Sequence, residues 1–366
     1  MPQQTSHWIL RRLAHLDGIL LTLVVLLLGV SLAVVTSASG QSPARISGHL
    51  INIGLALSVM VVMANVPPHL LSKVGPPLYV AGVVLLIGVA LFGEIRNGAR
   101  RWLNLGFAFQ PSELLKLALP LMLAWYFQRN EAVLRAKHFL VGGAMLVVPF
   151  LLILRQPDLG TAMMIGASGF YLLFFVGLPW KVILGATTLG AASLPVVWGL
   201  MHDYQQRRVL TLLDPSSDPL GAGYHIIQST IAIGSGGLFG KGWMQGTQSQ
   251  LDFIPERTTD FIYAVFGEEF GYFGAILLVG LYLAIVARGL VIAARAPTLF
   301  GRLIAATLSL NLFTYVFVNM GMVSGILPVV GVPLPLMSYG GTALITLLLG
   351  MGMLMSVATH RQLMTR

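Results

Sequence analysis

The chain has 366 residues, of which 56% are hydrophobic and 10% charged, and its mean hydropathy is +0.82. A soluble protein carries roughly 25% charged residues, so a water-soluble fold is excluded. The net charge of +9 comes from 22 basic residues scattered between apolar runs without a block of like charge, which argues against a nucleic-acid partner; the absence of cysteine removes disulfides, thiolate metal sites and a cysteine nucleophile.

In chain order, Arg11 and Arg12 precede an apolar run at 18–36. That run is longer than a signal-peptide core and has no small-residue cleavage pattern behind it, so it is expected to remain as the first membrane helix. Further apolar runs follow at 46–66, 76–92, 112–127, 138–154, 160–177, 182–201, 272–292, 303–323 and 340–358. Each approaches the roughly 20 residues needed to cross a bilayer, which predicts an all-α polytopic membrane protein of about ten helices forming a single domain over 1–366. A cytoplasmic amino terminus puts twelve basic residues inside (Arg11, Arg12, Lys73, Arg129, Arg135, Lys137, Lys181, Arg288, Arg295, Arg302, Arg361, Arg366) against nine outside, and predicts both termini in the cytoplasm.

Two segments on the opposite side look built for a purpose. The loop at 93–111 contains Asn97-Gly-Ala-Arg-Arg-Trp102, and the loop at 202–261, between helices 7 and 8, is by far the longest. Loops beyond about 12 to 15 residues are usually functional or disordered. This one is rich in Ile, Leu, Phe, Tyr and Trp, as in Tyr224-His-Ile-Ile-Gln228, and is expected to pack a short helix across the bundle mouth.

Five features can carry chemistry. Glu113 and Lys116, three apart at the start of the fourth helix, can pair on one face, either as a structural ion pair or as a cavity-lining pair that orients a substrate. Asp158 can cap helix six or hold a divalent cation at a cavity rim. Asp260, where the long loop re-enters the bilayer ahead of Glu268 and Glu269, can cap the next helix or act as a general base on a hydroxyl. Arg207, Arg208, Lys241 and the pair Arg100 and Arg101 can form an outer-face anion site or meet lipid headgroups. The stretch Gly234-Ser-Gly-Gly-Leu-Phe-Gly-Lys-Gly242 fails both nucleotide-loop templates, so no nucleotide is expected, and it reads as a tight-turning loop whose backbone N–H groups are available to an anion. Finally, 319–341 packs five Gly and three Pro between helices nine and ten, and irregular backbone at that depth marks a cavity wall.

Phe109-Gln-Pro-Ser-Glu-Leu-Leu-Lys116, Gln156-Pro-Asp-Leu-Gly160, Thr258-Thr-Asp-Phe261 and the run through Ser338 and Tyr339 to Gly341 resemble the SEDS family (shape, elongation, division and sporulation) over nearly the whole chain. The run from His202 through Arg208 and Leu213-Asp-Pro to Gly221-Ala-Gly-Tyr-His-Ile-Ile-Gln-Ser229 resembles the elongation member more than the division member. The resemblance implies a peptidoglycan glycosyltransferase of the bacterial inner membrane that polymerises lipid II on the periplasmic face, with Asp260 as the catalytic residue. It also implies a cavity that includes Glu113, Lys116, Gln110, Ser112, Ser338 and Tyr339. Its partners would be a class B penicillin-binding protein, other elongation-complex membrane proteins and membrane lipid. Outer-face Arg and Lys, or a divalent cation such as Mg2+ or Mn2+ at Asp158 or Asp260, would neutralise the leaving diphosphate. A lipid II flippase, a non-catalytic scaffold of the elongation machinery and a lipid-linked sugar ligase are the rival readings.

Overall fold

The computed structural model describes residues 16–96, 99–104, 108–156, 158–201, 203–218 and 221–360. Arg11, Arg12, Arg361 and Arg366, used above for orientation, lie outside the described residues, as do the side chains of Arg100 and Arg208.

The long helices are α1 (Gly18–Ala38), α2 (Pro43–Ala64), α3 (Pro68–Phe92), α4 (Pro111–Arg129), α5 (Ala136–Leu154), α6 (Leu159–Val176), α7 (Trp180–Leu200), α11 (Ile262–Arg295), α12 (Leu299–Val323) and α13 (Gly341–Thr359). Among the described residues, eight of these are long and apolar enough to cross a membrane; α4 and α7 fall outside that set. α4 carries Glu113 and Lys116 and is enclosed by α3, α6, α12 and α13, so its charges are screened from lipid by protein. None of the described side chains of α7 is buried, in contrast to α12, which is half buried.

Local chemistry sets the boundaries. Asp17 accepts from Leu20 N at 2.9 Å to cap α1, and its carboxylate also binds Arg288 near the end of α11 at 2.5 Å, tying the first helix to the far end of the eighth apolar span. Thr298 caps α12 through Gly301 N at 3.1 Å. Pro43, Pro68 and Pro111 sit in first turns, where a missing N–H costs nothing. α3 starts before the expected position 76, because Pro76 and Pro77 are accommodated inside it.

The segments between spans carry structure of their own. Within the all-α architecture the loop at 93–111 forms a small antiparallel sheet: β1 (Glu94–Arg96), β2 (Ala99–Asn104) and β3 (Ala108–Phe109), in the order β1-β2-β3. The long loop contains α8 (Asp203–Leu213), a 3-10 turn at Pro215–Ser217, α9 (Ala222–Ser235) and the short α10 (Thr247–Gln250). α9 is a short helix within this loop, as expected, and packs on α11 and α12. Finally, α11 starts at Ile262 rather than 272 and is broken at Gly271, where φ is +64°.

That break explains the glycine-rich loop. Lys241 N and Gly242 N donate to the carbonyls of Glu268 and Glu269 at 3.0 Å, while Tyr272 N and Phe273 N donate to Gly237 O and Leu238 O at 2.9 and 3.1 Å. The loop therefore inserts beside the broken helix and satisfies backbone groups that a bilayer could not solvate. The N–H groups of Lys241 and Gly242 are consumed by this, so the expectation that they serve an anion does not hold.

Candidate functional site

A cavity of about 340 Å³ lies between α4, α6, α12, the 331–340 connector and the start of α13. Its polar wall is assembled from Arg101, Gln110, Glu113, Lys116, Asp158 and Asp260, with Ser338 and Tyr339 on the connector.

α4 begins at Pro111, which brings Glu113 and Lys116 into its first two turns and onto one face. Lys116 Nζ stands 2.5 Å from Glu113 Oε1 and 5.3 Å from the centroid of the Tyr315 ring on α12. The two ions pair with each other, and both line the cavity. Asp158 likewise does two things. Its Oδ1 caps α6 by accepting from Thr161 N at 3.1 Å, while Oδ2 accepts from Gln110 Nε2 at 3.3 Å with Arg101 Nε 3.8 Å away. Arg101 arrives on β2, so the hairpin, rather than a helix, delivers the cavity's guanidinium.

Asp260 does not cap α11. The N-cap position is Phe261, and no side chain caps that helix end. Among the described residues no hydrogen bond reaches the Asp260 carboxylate. Burial, followed by the negative charge of Glu256, pushes its pKa up to about 6. Gly331, at φ +71°, lies beside it, so that a Cβ there would be 3.5 Å from Asp260 Oδ2. The carboxylate thus borders the connector and lines the cavity, with no counter-ion bonded to it among the described residues.

Other expected site residues stand elsewhere. Ser112 is buried in the first turn of α4 and is not on the cavity wall. Arg207 is exposed on α8. Lys241 is engaged by Glu268 Oε1 and Thr247 Oγ1, each at 2.7 Å, so the structure does not gather it with Arg101 into one anion site. The sequence reading overlooked Tyr315 and Asn311 as cavity-lining residues. Both are polar side chains within the apolar span α12, and that interruption was the available signal. His49, fully buried on α2, donates through Nε2 to Ser31 Oγ at 2.8 Å, and Ser31 donates to Met337 O at 2.8 Å, backing the connector from outside the cavity.

Comparison with known proteins gives consistent matches. The cell cycle protein family FtsW/RodA/SpoVE matches residues 13–363. Over 354 residues the chain is 53% identical to the peptidoglycan glycosyltransferase MrdB of Escherichia coli K12, covering 96% of each. It is 31% identical to the peptidoglycan glycosyltransferase RodA of Treponema pallidum, covering 95% of this chain and 98% of that one. Among solved structures, a chain of a peptidoglycan synthase complex, described for its structural coordination of polymerization and crosslinking, superposes with a TM-score of 0.81 at 34% identity over 94% of this chain and 97% of that chain. The rod shape determining protein RodA of Thermus thermophilus superposes at 0.72 with 30% identity, covering 95% and 98%.

Proposed function

Because the chain belongs to the FtsW/RodA/SpoVE family of cell cycle proteins, we propose that its cavity is the glycosyl-transfer site and that Asp260 is the base. The chain is a polytopic membrane protein and a peptidoglycan glycosyltransferase. The observation that carries the assignment is the Asp260 carboxylate: cavity-facing, partly desolvated and free of hydrogen bonds from the described residues, with a pKa near the working pH of a general base.

In this reading the acceptor is the sugar 4-hydroxyl of one lipid-linked disaccharide, lipid II. Its proton passes to Asp260 as the oxygen attacks the anomeric carbon of a donor held on undecaprenyl diphosphate. The new bond is O4–C1 with inversion, and the bond that breaks is C1–O to the diphosphate; Asp260 then returns its proton to water. Diphosphate is a good leaving group, so no general acid is needed. Arg101, which lines the same cavity, is suited to the diphosphate because a guanidinium binds phosphate oxygens in pairs. Lys116 is already paired, and with Glu113 it sets the field of the cavity wall they share.

A divalent cation fits this cavity only as an ion carried with the diphosphate. Among the described residues no three of His, Asp and Glu cluster, but Asp158 and Asp260 each present a carboxylate to the cavity, and Mg2+ in phosphate sites takes one or two carboxylates beside the phosphate oxygens. Such an ion would supply charge neutralisation to the leaving group.

A working orientation places the chain in the bacterial inner membrane with both termini in the cytoplasm and the cavity mouth on the periplasmic side, supported by twelve basic residues on one side against nine on the other. A class B penicillin-binding protein is the proposed partner, together with other elongation-complex membrane proteins, by analogy with the peptidoglycan synthase complex above. The test is glycan polymer formation from labelled lipid II by the purified chain with its cognate partner. Polymer from wild type and none from Asp260→Asn at equal complex yield supports the base assignment; equal polymer from both overturns it.

A further inference from the structure

The Asp260 carboxylate receives no hydrogen bond among the described residues, so what aims it must act through its backbone. Three consecutive carbonyls of that turn are each held by a donor from α12 or the connector. Tyr339 N donates to Thr258 O at 2.8 Å, Ser338 Oγ donates to Thr259 O at 2.6 Å, and Asn319 Nδ2 donates to Asp260 O at 2.8 Å. Each holder is itself tied to the cavity wall. Ser338 Oγ accepts from Leu334 N at 2.8 Å, and the other Nδ2 proton of Asn319 goes to Val332 O at 2.7 Å. Asn319 is fully buried, and its Oδ1 has no partner among the described residues. An unpaired buried amide oxygen costs stability, so this side chain is a poor choice for packing alone.

We propose that Asn319 and Ser338 are positioning residues that clasp the Thr258–Asp260 carbonyls to the cavity wall and thereby hold the Asp260 carboxylate where an acceptor hydroxyl must meet it. The proposal rests on Asp260 being the base. Neither side chain has to touch substrate: Asn319 is not on the cavity wall, and Ser338 spends its hydroxyl on Thr259 O and Leu334 N. The clasp joins parts of the chain 59 and 79 residues apart, so the catalytic turn and the Pro-rich connector are seated as one unit.

The test measures initial rates of polymer formation against lipid II concentration for the full chain with its partner, per mole of monodisperse complex, in wild type, Asn319→Ala, Ser338→Ala and Asp260→Asn. Displacement of a reacting group by about 1 Å costs on the order of 100-fold, so kcat of Asn319→Ala falls by about that much while KM for lipid II stays near wild type. Ser338→Ala, which leaves the Tyr339 and Asn319 contacts in place, falls by about 10-fold, the equivalent of one hydrogen bond. A purely structural role would lower the yield of complex and leave kcat per mole unchanged. Wild-type kcat in both variants, with Asp260→Asn inactive, overturns the clasp and leaves the base assignment standing. A rise in KM at unchanged kcat would also overturn it, by making these residues part of substrate binding. Wild-type polymerisation by Asp260→Asn removes the base assignment and the clasp's purpose together.

Discussion

Asp260 and Glu268 lie two turns of chain apart, and both carboxylates are removed from bulk water, yet they are wired in opposite ways. Glu268 is completely buried and accepts from Lys241 Nζ, Thr247 Oγ1, Gln248 N and Ser249 N at 2.7 to 3.1 Å. These donors fill its lone pairs, and with the Lys241 ammonium beside it the carboxylate is a charge locked into the fold. Asp260 has the desolvation without the donors and ends up near 6. A buried acid whose lone pairs are filled belongs to the structure, and one left open toward a cavity is available for chemistry.

The sharpest way to break this contrast is to neutralise each acid's function in turn. Asp260→Asn removes a general base, a contribution of about 10²- to 10⁴-fold, so polymerisation by the complex should fall below detection in a gel assay of labelled lipid II. Measurable polymer at more than a few per cent of wild type would mean that the base lies elsewhere.

Lys241→Met tests the other acid. It strips the cation from Glu268 and should destabilise the chain by about 2 kcal/mol, read as a lower thermal midpoint in detergent, with turnover per folded molecule close to wild type. A loss of turnover at unchanged stability would bring Lys241 back to the reaction.

Gly331→Ala tests the connector that borders the open carboxylate. The residue has φ +71°, which an L side chain rarely adopts, while a Cβ there would meet Asp260 Oδ2 only at ordinary van der Waals distance, 3.5 Å. A cost of about 1 kcal/mol and a roughly tenfold drop in kcat are expected, because relieving the backbone strain shifts the connector beside the carboxylate.

The smallest effect is the pH dependence. Asp260 must be ionised to accept a proton, so kcat/KM should fall as pH drops through about 6, and this limb should vanish with the residual rate of Asp260→Asn. The stability sign is opposite to that of a salt-bridged acid. A folded-state pKa raised above the unfolded value favours the folded state at low pH, and that advantage is lost as pH rises through about 6. Asp260→Asn should therefore melt higher than wild type at pH 8 and match it at pH 4.

Much of this molecule was legible in the linear chain. The apolar runs placed the long helices to within a turn in most cases, because lipid forces a spanning helix to be apolar along its length. The start of α11 was misread because the Gly271 break and its inserted glycine loop resemble a terminus in sequence. The pair Glu113 and Lys116 was visible through its spacing, and so was the capping role of Asp158, since both are settled within one helical turn. The site was harder. Asp260 could equally have been a cap, Lys241 looked like a free cation, and Asn319 looked like one polar residue in a glycine-rich stretch.

What the sequence by itself determined is what depends on neighbours a few residues away: where the helices run, which ends are capped and which charges share a helical face. What only the tertiary structure decided is which polar groups are already spent. The partners of Lys241, Glu268 and Asn319 come from segments 27 and 59 residues distant, and hydrogen bonds across such gaps exist only once the helices are packed. The open carboxylate of Asp260 is the residue of that accounting, because packing filled the lone pairs of Glu268 and gripped only the backbone beneath Asp260.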